Sequence, residues 1–184
     1  MKHDFDAEKF ILRGLNSDWA EQCTKLVKQS LGLDFSNALI NEINIKFVNQ
    51  NYSDSLAYVQ SHTSDYVLTA LDLVINMKYY SDIDSSSVDG WSESAGLYLD
   101  RTLAHEFTHA VLAANIKNFS SLGDDFNEGL AELVHGIDDY RYNKIINFTV
   151  RDIVNGNLDR DHYTNGYLTL RYLAKQGQSH YSFD

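Results

Sequence analysis

Three residues within a run of six, "AHEFTH", have the types and spacing to hold a metal ion and to work beside it: His105, Glu106 and His109. On a helix, residues four apart stand on one face, about one turn along the axis. His105 and His109 can therefore turn two imidazole nitrogens toward one ion. Glu106, one position round, reaches past such an ion and can take a proton from a water that the metal has made acidic. Outside these three residues the stretch from Thr102 to Ala114 carries no charge, and Leu103, Ala104, Phe107, Ala110 and Val111 read as a buried face. Two histidines and a carboxylate on a buried helix need a compensating partner, because lone buried polar groups are costly. The competing reading is an ordinary helix, since a five-residue pattern recurs by chance. A third ligand decides between them.

A catalytic zinc usually takes three protein ligands and leaves one position open. Cys23 is the only cysteine, so the ligands must offer nitrogen or oxygen, and no disulfide within the chain is possible. A metzincin would need glycine at 112 and histidine at 115, where this chain has Leu112 and Asn115. The gluzincin arrangement takes a glutamate from a following helix, and "FNEGLAELVHGID" supplies Glu128 nineteen residues after His109. Glu132, one turn later on the same face, is the less favoured ligand. It is better placed to accept the second ring N–H of a ligating histidine, with Asn127 hydrogen-bonding nearby. A solvated helix face would account for two glutamates, but the flanking Leu130, Ala131, Leu133 and Val134 are apolar. His135 reads first as a packed helix-end residue.

The elements that must position these groups follow from periodicity. "LNSDWAEQCTKLVKQSLGL" places Trp19, Ala20, Cys23, Leu26, Val27 and Leu31 at helical spacing, with Asn16 or Ser17 as cap and Gly32 as stop. "INIKFVN" alternates as a strand with Ile43, Ile45 and Phe47 on one face, and "SLAYVQ" is a second short strand. "YVLTALDLVINMKYY" alternates over a longer run, with Leu71, Leu73, Ile75, Met77 and Tyr79 together. A polar loop, "SDIDSSSVDGWSESAG", follows. Its Asp82, Asp84 and Asp89 could bind calcium, but their spacing fits no standard loop and a solvated loop is the favoured reading. After the histidine helix come a break at "SSLGDDF", a helix at "NEGLAELVHGI" and another from about Asn165 to Lys175. The expectation is an α+β, zincin-like domain over 1–184. Its lobe 1–114 holds a mixed sheet and the histidine helix, and its lobe 115–184 is mostly helical.

Composition narrows the partners. A chain of 184 residues can bury a core without staples, and a formal charge of −11 argues against nucleic acid or an anionic membrane. No apolar run reaches the length of a membrane span. "MKHDFDAEKF" has no apolar signal-peptide core, so any export signal would lie elsewhere in a longer chain. Proline is absent, where average usage near 5% predicts roughly nine.

"TLAHEFTHAV" followed by "NEGLAE" resembles the gluzincin metallopeptidases. Asn127-Glu128 with Glu132 is similar to their N-E-x-x-x-D pattern, with glutamate in the aspartate's place. Glu128-Gly129-Leu130-Ala131-Glu132 matches the E-G-x-A-E of bacterial collagenases. The likeness is greatest to flagellinolysin, a collagenase-like domain inserted in bacterial flagellins. It is carried by "LDRTLAHEFTHAV", "EGLAELVHGID" and "YTNGYLTLRYL", and the missing prolines suit a flagellin-type chain. The resemblance implies His105, His109 and Glu128 as ligands of one zinc ion and Glu106 as catalytic base. It further implies an extended protein substrate on an edge strand, for which "LDLVINMKYY" is the candidate, and an extracellular setting, secreted or on a flagellar filament. An oxyanion donor is expected from "DRDHYTNGYLTLRYL", where Tyr163 and then Tyr167 are preferred to His162 and Tyr172. The rivals are a non-catalytic surface or filament domain with structural zinc, and a zinc exopeptidase, for which no G-x-M-E-N-like anchor is present.

Overall fold

The computed structural model describes residues 2–87, 90–136, 149–156 and 161–180. It is mixed α and β, with helix outweighing strand, and divides into two compact units, Met1–Phe119 and Ser120–Asp184.

The first unit begins with α1 (Lys2–Gly14), a π-turn (Leu15–Trp19) and α2 (Ala20–Leu31). The start expected at Asn16 or Ser17 is not a start. Helical backbone runs through it, with Gly14 and Ala20 both right-handed, and Ser17 Oγ donates back to the Gly14 carbonyl at 2.9 Å. Trp19 explains the wider turn. Its ring lies where a Cβ on Gly14 would come within 2.5 Å, and it meets Phe10 edge-on at 5.6 Å. Gly32 ends α2 as expected, at φ 73°, donating to the Lys28 carbonyl. Within α2, Cys23 is buried, and burial above all pushes its thiol up to about 12.

Strands β1 (Asn44–Val48), β2 (Ala57–Ser64) and β3 (Val67–Asn76) form a sheet in the order β1-β3-β2. β1 runs parallel and β2 antiparallel to β3. Leu71, Leu73 and Ile75 are fully buried as expected, with Ile45 opposite Leu73 and Phe47 opposite Ile75. Burial does not alternate, because the intervening Asp72 and Val74, and Asn76 after them, are buried as well. Two further expectations fail. The strand stops at Asn76, whose side chain caps a helical turn, α3 (Met77–Tyr80), so Met77 and Tyr79 leave the strand face. And β3 is central, paired on both sides, so "LDLVINMKYY" offers no edge to a substrate. The reason is backbone pairing: β1 takes the N–H and C=O groups along one side of Asp72–Asn76 and β2 those along the other, which leaves no open edge there. The open edges among the described residues belong to β1 and β2.

On the opposite face, the buried Asp72 carboxylate accepts hydrogen bonds from Asn44 Nδ2 at 3.0 Å and Lys46 Nζ at 2.5 Å, and pairs with His62 Nε2. The loop after α3 closes on its own carboxylates. Asp82 accepts from Ser92 Oγ and the Glu93 and Ser94 amides, and Asp84 accepts from the Ser86 amide and hydroxyl. Asp89 lies outside the described residues. A two-strand hairpin, β4 (Trp91–Ser92) and β5 (Leu97–Tyr98), leads into α4 (Leu99–Asn115).

The second unit contains α5 (Asp124–His135), α6 (Val150–Asn155) and α7 (His162–His180). α5 starts three residues before the expected Asn127. α7 starts earlier than Asn165 because Asp161 caps it, accepting from the Tyr163 amide at 3.2 Å and Thr164 Oγ1 at 2.9 Å. α6 was not expected. A capping box of Thr149 and Asp152 begins it and Gly156 at φ 67° ends it. α5 and α7 cross backbone to backbone at Gly129 and Gly166. A Cβ on Gly129 would fall 2.3 Å from the Gly166 carbonyl carbon, and one on Gly166 would fall 1.8 Å from the Asp125 carbonyl oxygen.

Candidate functional site

α4 is anchored along its length. Leu99, Leu103, Ala104 and Phe107 enter the main core with Leu73, Ile75, Met77 and Tyr80. Ala110 and Ala114 pack on Leu71, with Val59 of β2 and Leu68 beside them. Asn115 Nδ2 ties the C-terminal end to the Asp34 carbonyl at 2.8 Å. So fixed, the helix leaves His105 and His109 half-buried on one stripe. Their Nε2 atoms stand 3.0 Å apart. Two nitrogens at about 2.05 Å from a tetrahedral zinc would stand roughly 3.3 Å apart. The pair thus fits one ion with a shift of a few tenths of an ångström. The Phe119 ring lies 6.4 Å from the His109 ring and forms an apolar neighbour.

Glu106 is only 7% exposed. One turn before it, Thr102 shares a 2.6 Å hydrogen bond with the fully buried Tyr80 hydroxyl. Burial chiefly, and the charges of Glu106 and Asp82 in smaller part, raise the Tyr80 phenol above its ordinary range. A neutral hydroxyl pair therefore lies along the buried side of the helix from which Glu106 projects.

In the second unit, α5 carries Glu128 half-buried and Glu132 buried. Glu132 Oε1 lies 3.4 Å from His135 Nε2, so that carboxylate is shared with the histidine three residues on. Asn127 Nδ2 donates to the Leu122 carbonyl at 3.3 Å and steadies the turn into the helix.

Of the expected oxyanion donors, Tyr163 and Tyr167 lie one turn apart on α7. Tyr163 is 37% exposed. Tyr167 is half-buried, with Arg171 donating to its hydroxyl at 3.4 Å and lying over its ring. His162 is the better-held group. Its Nδ1 pairs with Asp125 Oδ1. That bond first, and then the charges of Asp125, Asp124 and Glu128, raise its pKa. Asp125 carried a sequence signal that went unread, a carboxylate one turn before Glu128 on the same face.

Arg101 was also missed, although it stands four before His105 and so continues the stripe of the two histidines. The guanidinium lies over the Tyr98 ring at 5.9 Å, and Tyr98 meets Trp91 edge-on at 4.9 Å. Compared with known proteins, the chain matches no family model, no curated protein and no solved structure.

Proposed function

We propose that the protein is a zinc-dependent endopeptidase of gluzincin type, with a zincin-like fold. The observation that carries this is the convergence of His105 and His109 Nε2 at 3.0 Å on a rigid buried helix, with the buried carboxylate of Glu106 between them in sequence. His105, His109 and Glu128 hold the ion, and Glu132 and Asn127 support the ligand helix. Bound zinc supplies Lewis-acid polarisation of the scissile carbonyl and makes a water acidic near neutral pH. Glu106 takes the water's proton and passes it to the departing amine. His162, aligned by Asp125, joins Tyr163 and Tyr167 as a donor for the oxyanion.

An extended substrate needs a strand edge near the histidine helix. The open edge of β2 meets this, because Val59 of β2 lies against Ala110 and Ala114 of that helix. A secreted or flagellar setting follows from the resemblance, as does a protein substrate.

The test is zinc content and cleavage of an unfolded protein mixture. Wild type should bind one zinc per chain and cut. Glu106→Gln should bind zinc equally but lose at least about a hundredfold in kcat, the low end for a general base. His105→Ala and Glu128→Gln should lose the stoichiometric zinc. Wild type that binds no zinc overturns the reading; wild type that binds zinc and cuts nothing points to a structural ion.

A further inference from the structure

We infer that Arg101, lying over the ring of Tyr98, forms a subsite that recognises a carboxylate on the substrate close to the bond being cut. This rests on the peptidase reading above, and adds to it the chemical class of residue selected.

Helix geometry sets the position. Residues 101, 105 and 109 lie along one stripe at about 6 Å per step. Side chains on a helix lean toward its N-terminus, so Arg101 points away from the histidines and onto Tyr98, where the 5.9 Å contact places it. An extended peptide advances about 3.3 Å per residue. A step of about 6 Å therefore corresponds to two residues from the scissile bond.

The second observation is what the guanidinium lacks. Arg101 is half-buried, yet among the described residues no carboxylate pairs with it. The one bond to Asp100 comes from the Arg101 backbone amide, at 2.7 Å. This occurs in a chain with 26 acidic and 15 basic residues, where a carboxylate partner would be easy to supply. Lys28, Lys46 and His62 all have one. The ring of Tyr98 fixes the guanidinium by a cation–π contact that consumes none of its N–H donors. The planar fork can then donate two parallel hydrogen bonds to a carboxylate. Trp91, 39% exposed and edge-on to Tyr98, extends that ring with an apolar surface on which the methylenes of a glutamate can lie.

The experiment uses two blocked peptides that differ only as Glu or Gln at the second position from the cleaved bond, each with a free and an amidated C-terminus. Cleavage by the zinc-loaded protein is compared with binding to the metal-free protein, read from Trp91 fluorescence in a Trp19→Phe background. The Glu peptide should be preferred about tenfold in kcat/KM and in affinity, whatever its C-terminus. Arg101→Gln should bring the ratio close to one, and Arg101→Lys, which keeps the charge but not the fork, should restore only part of it. Circular dichroism checks that each variant is folded. Cleavage without preference overturns the subsite and leaves the peptidase reading intact. Preference only for free C-termini overturns it in favour of terminal-carboxylate recognition. If nothing is cleaved but the Glu peptide still binds through Arg101, the subsite stands and the peptidase reading fails; if neither occurs, both fail.

Discussion

Asp72 shows what one residue does to this fold's response to acid. Hydrogen bonds from Lys46, then His62 and Asn44, hold its carboxyl well below the usual range. A carboxyl with a depressed folded pKa adds stability that is present above its unfolded value, near 3.9, and is lost as pH falls toward the folded value. Urea unfolding of wild type should therefore weaken more steeply between pH 5 and pH 2 than that of Asp72→Asn. Parallel curves would show that the three donors do not favour the charged form. At pH 7 the variant should be the less stable, since a neutral amide replaces the charged acceptor that Lys46 and His62 share and adds N–H donors that face theirs. At this scale the sequence was most legible for His105 and His109, because their spacing alone places them on one stripe, with Glu106 one position round from it. Asp125, His162 and Arg101 were not legible as a set. Each matters through a neighbour, and for the Asp125–His162 pair the two partners lie 37 residues apart.

At the scale of elements, the pairing of α5 with α7 rests on two glycines. Alanine at 166 must displace the Asp125 carbonyl, and no flexible side chain is there to yield. Overpacking of this kind costs about 1–3 kcal/mol, against a helix-propensity gain of about 1 kcal/mol for losing a glycine. Gly166→Ala should lower the melting temperature, and Gly177→Ala, on the same helix with nothing within 4 Å, should raise it. Differential scanning calorimetry of the two variants checks the contrast, and equal shifts would rule out the tight crossing. Alternation grouped Leu71, Leu73 and Ile75 on one buried face of β3 but showed neither that the other face is buried nor that the strand lies between two others, because an apolar run looks alike in an edge strand lying under a helix. Likewise the π-turn at Leu15–Trp19 was hidden, since the polar Asn16, Ser17 and Asp18 imitate a helix start. α6 was missed for its brevity: six residues give too few turns for periodicity to show.

For the molecule as a whole, the proposed ligands come from both compact units, His105 and His109 from the first and Glu128 from the second. Metal should then couple their unfolding. At a free zinc concentration of about a thousand times Kd, mass action adds about 4 kcal/mol. For a chain of this size that raises the melting temperature by about 10 °C. Zinc-loaded protein should unfold in one sharp transition, and chelated protein at lower temperature and more broadly. Identical calorimetric traces with and without chelator would contradict ligation by both units.

Cys23 has a practical consequence. It is the sole thiol, buried in α2, with its pKa pushed up to about 12. Alkylating reagents attack the thiolate, so the native chain should react with them only as fast as it opens. The wild type thus carries its own clock for unfolding, readable by mass spectrometry as a single added label. A cysteine introduced at an exposed position would be modified long before Cys23. One fluorophore or spin label can therefore be attached to either unit without first removing the natural thiol.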